Sequence, residues 1–333
     1  MTNDKGRRTN QLPTDNASSL VLGPRSMLQR EEYMPYHCVV LVKQVPDTTN
    51  ITGKAMKEDG TVNRAALPAI LNPEDLNALE MALQVKEQQG GQVTVLTMGP
   101  PRAGEVLREA LYRGADRVIL LTDRRTAGSD TLATSYILKC AVECIHDRFG
   151  SYDMVFCGRQ AIDGDTAQVG PQVAQKLGLP QITYAESIEL LQDGEVVVRR
   201  ALPLGTETVR CVLPCLLTVV GSANRPRPPS VRRMMAYKLA ATPLEYPDLL
   251  EAWPEFGTEE MLDSYLAERG LKITAWSAAD VGADYSRVGL AGSPTKVLKV
   301  DFVVLESGDN KEVEANEEGL GDLVRELVRD YIV

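Results

Sequence analysis

Between His37 and Leu177 a short apolar run gives way four times to residues at helical spacing, and that alternation constrains the fold more than any other feature. The runs are His37–Lys43, Gln92–Met98, Arg117–Leu121 and Tyr152–Cys157. Each reads as a strand buried on both faces, as in a parallel sheet. Asn72, a candidate N-cap, and Pro73, at the tolerated first position, open the first helix. Leu76, Leu79 and Leu83 supply its buried face through about Gln88. A second helix is expected from Ala103 to Tyr112. A third follows Ala127-Gly128-Ser129-Asp130, with an apolar stripe of Leu132, Tyr136, Ile137, Cys140, Ala141, Cys144 and Ile145. The fourth is expected from Thr166, on the spacing of Val169, Val173, Ala174 and Leu177. This order predicts an α/β fold with a doubly wound, mostly parallel sheet. Ligands of such sheets sit outside the carboxyl ends of the strands. Four loops should therefore converge there: Gln44–Thr48, Met98–Pro101, Ala127–Thr131 and Gly158–Thr166.

After Leu179-Pro180 the pattern changes. Ile182–Leu191, Glu195–Ala201 and Glu207–Val220 read as extended segments, an expected antiparallel extension of the sheet. Proline and arginine then replace apolar residues over Gly221–Ser230, so the compact domain is expected to end near Val220. A short helix is expected over Glu259–Arg269, a turn at Ala291–Pro294 and an amphipathic helix over Gly321–Ile332. The organisation is thus a disordered leader (1–35), an α/β domain (36–222), and a C-terminal arm (223–333) suited to packing on a partner. Gly53–Gly60 reads as a hairpin or loop.

A formal charge of -10 argues against nucleic-acid and anionic-membrane partners. No apolar run approaches the roughly 18 residues needed for a membrane span. Six cysteines scattered over 333 residues point to a reduced, cytoplasmic setting. Cys140/Cys144 and Cys211/Cys215 lack zinc-knuckle spacing and the two histidines, His37 and His146, are not placed to help, so no metal site is expected. The same scarcity excludes a Ser/His/Asp or Cys/His nucleophile. There is no GxGxxG after a strand and no Walker A sequence.

The stretch Tyr152–Pro171 runs from a strand through Gly158 and the turn Asp163-Gly164-Asp165 into a helix. Unpaired N–H groups at a helix start and the helix dipole make a ready phosphate site. An ordinary connection capped by Asp165 or Thr166 explains the same residues, and Asp163 and Asp165 would repel a phosphate unless turned away.

The sequence Gly158-Arg159-Gln160-Ala161-Ile162-Asp163-Gly164-Asp165-Thr166-Ala167-Gln168-Val169-Gly170-Pro171 resembles the nucleotide signature of the electron-transfer flavoprotein beta-subunit family. Val42–Thr48, Asn72-Pro73-Glu74-Asp75 and Thr97–Pro101 are similar to other segments of that family, and the likeness covers roughly Tyr36–Tyr237. The resemblance implies that Leu41, Asn72, Pro73, Glu74, Asp75, Met98, Cys157 and Gly158 to Gly170 line a site for the pyrophosphate of FAD or, alternatively, for AMP. Within that span the residues are Arg159, Gln160, Ala161, Ile162, Asp163, Gly164, Asp165, Thr166, Ala167, Gln168 and Val169. Ala127–Ser135 resembles beta subunits that hold FAD in place of AMP and split the electrons of NADH between two acceptors. It adds Ser129, the expected N-cap, with Asp130, Thr131 and Thr134. NADH would approach past Val45, Asp47, Thr48, Gly99 and Pro100. Asn224–Val231 falls where the family has its dehydrogenase recognition loop, so Arg227 and Val231 are the docking candidates; composition alone reads a solvated linker there. The partners implied are an alpha subunit holding a second FAD, a flavin dehydrogenase such as an acyl-CoA dehydrogenase, and a low-potential acceptor, ferredoxin or flavodoxin. The alternatives are the ordinary carrier with AMP, or an adenine-nucleotide sensor module on the same scaffold.

Overall fold

The computed structural model describes residues 35–47, 68–295 and 312–329. The chain runs β1 (Tyr36–Val42), the short pair β2 (Gln44–Pro46) and β3 (Ala69–Leu71), α1 (Pro73–Gln89), β4 (Gly91–Met98) and α2 (Gly104–Arg113). It continues through β5 (Arg117–Leu121), α3 (Thr131–Phe149), β6 (Met154–Gly158) and α4 (Val169–Leu177). Then come β7 (Gln181–Gln192), β8 (Glu195–Leu202), β9 (Gly205–Val212) and β10 (Cys215–Val219). The last elements are α5 (Val231–Tyr237), α6 (Tyr246–Ala252), α7 (Glu259–Glu268), β11 (Thr274–Trp276), α8 (Gly289–Gly292) and α9 (Glu317–Arg329).

The main sheet has the order β11-β5-β4-β1-β6-β10-β7-β8-β9. Every neighbour from β11 to β7 is parallel, and β8 and β9 are added antiparallel. From β1 the chain winds outward to β4 and β5, and α3 then returns it to β6 on the other side of β1. The winding direction therefore reverses between β1 and β6, which places a crevice at their carboxyl ends. Side chains of β1 alternate between two cores: Cys38, Val40 and Val42 pack with α1 and α2, Val39 and Leu41 with α3 and α4. This is the expected α/β sheet.

Four sequence readings change. Glu207–Val220 is two strands, with a break at Leu213-Pro214. β9 stays in the antiparallel flap, whereas β10 returns as an interior parallel strand between β6 and β7, its residues fully apolar or small and buried. Helix α4 begins at Val169 rather than Thr166, because Asp165 and Ala167 adopt left-handed φ values of 50° and 52°, which a helix cannot accept. The packed body also continues past Val220. β11 pairs with β5, and Leu262, Leu266, Ile273 and Trp276 are buried in the two cores. Leu132, expected on the apolar stripe of α3, is 44% exposed. The Gly53–Gly60 segment and Thr48 lie outside the described residues.

Candidate functional site

Where β1 and β6 part, their last paired residues are Leu41 and Cys157. One side chain takes an amide from each strand end just beyond that pair. Asp75, in the first turn of α1, accepts from the Lys43 N–H through Oδ2 at 2.8 Å and from the Gly158 N–H through Oδ1 at 2.8 Å. Burial pushes its pKa up to about 7, against the two amide bonds, Asn72 and the Lys43 charge. Gly158 is required by close approach: a Cβ there would lie 2.6 Å from Asp75 Oδ1 and 2.7 Å from the Glu74 carbonyl carbon.

Asn72 flanks α1 as expected, but its side chain makes no capping bond. It is fully buried and turned to the following loop instead. Its Nδ2 donates to the Gln160 carbonyl at 2.9 Å, and its Oδ1 accepts from the Ile162 N–H at 3.1 Å. Glu74 accepts from the Gln160 N–H at 3.0 Å and pairs with Arg159 at 3.0 Å. The first turn of α1 thus fastens the whole entry of the Gly158–Gln168 loop.

The two aspartates that threatened a phosphate both have partners. Lys43 Nζ lies 2.6 Å from Asp163, and Gln160 Nε2 donates to Asp165 at 2.8 Å. Left-handed backbone at Asp165 and Ala167 costs on the order of 1 kcal/mol each, strain of the kind held at ligand sites. At the start of α4 the Gln172 N–H already bonds the Gln168 carbonyl, and Pro171 has no N–H. Val169 and Gly170 therefore offer the amides without an acceptor inside the helix. Gly170 lets this turn touch the sheet, since a Cβ would lie 2.7 Å from Cys157 Sγ and 2.9 Å from Thr218 Cγ2. These donors suit a phosphate, and the exposed Thr166 lies three residues before them in the same loop.

The Ala127–Ser135 segment forms the adjoining wall. The N-cap of α3 is Asp130, not Ser129: Asp130 Oδ1 accepts from the Ala133 N–H at 2.9 Å. Ser129 faces elsewhere, donating to the Thr126 carbonyl and accepting from the Gly289 N–H. Burial would raise the Asp130 pKa, but bonds from Ala133 and from the Thr295 hydroxyl and amide hold it below its ordinary value. Thr131 Oγ1 donates to Gln168 Oε1 at 2.9 Å, and Ser135 Oγ to Gln172 Oε1 at 2.8 Å, tying α3 to the loop and to α4. Thr134, half-buried, lies one turn along α3. Leu41 and Cys157 are buried and Met98 half-buried against the same core, at the ends of adjacent strands.

Of the segment expected to meet NADH, Val45 and Asp47 are buried, while Gly99 and Pro100 are more open at the end of β4. Sequence reasoning missed the Lys43–Asp163 pair and the clamp of Ser293 and Thr295 on Asp130. The one signal for that clamp was the turn expected at Ala291–Pro294.

Residues 59–244 match the electron transfer flavoprotein domain family. The chain belongs to the electron-transfer flavoprotein family, as a beta-type subunit. It is 41% identical over 295 residues to Protein FixA of Sinorhizobium fredii, covering 88% of this chain and 92% of that one. It is 40% identical over 296 residues to electron transfer flavoprotein subunit beta of Clostridium acetobutylicum, covering 89% and 95%. A third relative, 39% identical over 304 residues and covering 88% and 98%, is acryloyl-CoA reductase electron transfer subunit gamma of Anaerotignum propionicum. For a beta-type electron-transfer flavoprotein subunit, the two docking candidates differ sharply in setting. Arg227 is committed inside the chain, its guanidinium on Glu80 at 2.8 Å and on Glu87. Val231 is the first residue of α5 and is 75% exposed.

Proposed function

We propose that this beta-type subunit binds FAD in the β1–β6 crevice and serves a heterodimeric electron-transfer flavoprotein that splits the electrons of NADH. The observation that carries the reading is the Thr131–Gln168 hydrogen bond, 2.9 Å. It joins the start of α3 to the phosphate loop, so the two segments form one continuous wall, which supports the reading of a dinucleotide site. Bound flavin would supply the exchange between two-electron and one-electron chemistry, which no side chain here provides. The chain's own part is to hold and orient. Val169, Gly170 and Thr166 receive the pyrophosphate, and Lys43 and Gln160 keep two carboxylates away from it. NADH would enter past Gly99 and Pro100. An alpha subunit would carry the second FAD. Electrons would leave to a flavin dehydrogenase, of the acyl-CoA class that the acryloyl-CoA reductase relative brings to mind, and to ferredoxin or flavodoxin in the cytoplasm.

Acid extraction and chromatography of the purified complex tests this: two FAD and no AMP are expected. One FAD with stoichiometric AMP would make the complex an ordinary carrier. Purification without any second subunit would favour a sensor module.

A further inference from the structure

Asp75 stands among the residues that resemblance assigns to the nucleotide, yet its carboxylate faces protein backbone. The residue is 6% exposed, and each oxygen accepts an N–H from a different strand end. The two amides belong to Lys43, which follows the last residue of β1, and to Gly158, the last residue of β6; the last β1–β6 pair, Leu41 with Cys157, lies just before them. One carboxylate thus takes over where the ladder stops.

Its position controls more than two bonds. Gly158 starts the phosphate loop, and the Lys43 ammonium grips Asp163 in the middle of that loop at 2.6 Å. Fixing both amides therefore fixes the loop at its origin and, through Lys43, at its turn. Resting on the reading of this crevice as a nucleotide site, we infer that Asp75 is a positioning residue: a latch across the switch point that sets the phosphate loop, not a contact of the ligand.

Asp75→Asn separates this from the alternatives by sign. The change is isosteric and, at pH 8.5, where the carboxyl is ionised and the titrations are run, removes a negative charge at the origin of the loop. If Asp75 acted through charge, an anionic nucleotide would bind tighter. As a latch, the variant keeps one acceptor and turns an NH2 toward the other amide, so that bond is lost and binding weakens.

The measurement uses the protein purified with any chain that accompanies it, titrated separately with AMP and with FAD after cofactor removal. Amide hydrogen exchange over 41–46 and 156–164 is followed in the nucleotide-free state. The expected result is about tenfold weaker binding of whichever nucleotide the wild type takes, the order of one charge-assisted hydrogen bond. Faster exchange should appear at both segments together while β4 and β10 exchange as in the wild type. Tighter or unchanged binding overturns the latch, whatever the exchange shows. Weaker binding with unchanged exchange overturns it too, by making Asp75 a direct contact. If the wild type takes neither nucleotide, the proposed function fails. The exchange pattern then still decides the latch: joint loosening of the two segments supports it, and no loosening overturns it.

Discussion

His37 sits at the opposite end of β1 from the crevice and is 3% exposed. Its Nδ1 lies 3.0 Å from the Ser151 carbonyl, which can only accept, so the proton belongs on Nδ1. Nε2 then accepts from the Thr94 hydroxyl at 2.9 Å. Burial, with the Arg117 charge, holds the imidazole below its ordinary value against the Ser151 carbonyl and Asp153. A folded-state value below the unfolded one, near 6.5, means the contribution is full above that value and is lost as pH falls through the lower native one. Asp75 acts in the opposite sense: raised to about 7, it favours the fold below about 4 and loses that contribution as pH rises through 7. Comparing variants at His37 isolates the first term, because Asp75 is common to both. Chemical denaturation at pH 7.5 and 5.5 should show a smaller acid loss for His37→Gln than for the wild type. An equal loss would remove His37 from the account. Neither side chain's state was legible in the sequence. His37 and Asn72 could be placed on their elements, but what a polar side chain turns toward depends on segments 57 to 114 residues away.

The loop after β10 shows what an element does with composition. Proline and arginine suggested a solvated linker, yet the strand of chain is laced to α1 and α2. Asn77 donates to the Gly221 and Asn224 carbonyls, Arg227 grips Glu80, and the Ser230 N–H reaches the Tyr112 carbonyl. Glu80 is 7% exposed in its side chain, and Arg227 holds its pKa down despite burial. Arg227→Ala leaves that carboxylate buried without its counter-charge, so a loss of about 1–3 kcal/mol is expected in denaturant unfolding. Val231→Ala should do the reverse. With 75% of the residue exposed, stability should hold within about 0.5 kcal/mol. Half-saturation for the partner dehydrogenase should rise about 5- to 150-fold, the range for an interface anchor. Unchanged transfer, or lost flavin, would end the docking role for Val231. At this scale the sequence served best where periodicity is local: α1, α2 and α7 lie within about a residue or two of their expected ends. It failed at β10, whose return to the sheet centre is a tertiary choice that an apolar run cannot specify.

The whole molecule is held together by residues that looked like an appendage. β11 adds a seventh parallel strand through Thr274–Ile119, Ala275–Leu120 and Trp276–Leu121. Trp276 stacks on Phe149 with ring centroids 6.2 Å apart, covering one face. On the other face Leu262, Leu266 and Ile273 are fully buried beside α2 and β5. Short strands and isolated apolar residues hid this, because Thr274–Trp276 is too brief to announce itself as a strand. α9 differs: Leu320, Val324 and Val328 share one stripe and are each more than half exposed, as an arm awaiting a partner would be. Two truncations should therefore behave oppositely. Ending the chain after Ser222 uncovers Trp276's partner and the bed of Leu262, Leu266 and Ile273. Four large side chains at about 1.5–3 kcal/mol each are comparable to the roughly 5–15 kcal/mol that stabilises a domain. That fragment should be insoluble or melt without cooperativity. Ending the chain after Thr295 removes α9 while keeping β11, and its thermal midpoint should stay within a few degrees of the full chain, while its association with an alpha subunit weakens. Circular dichroism melting and copurification read the two effects separately. A cooperative, soluble 1–222 fragment would show that the sheet is complete without its C-terminal edge.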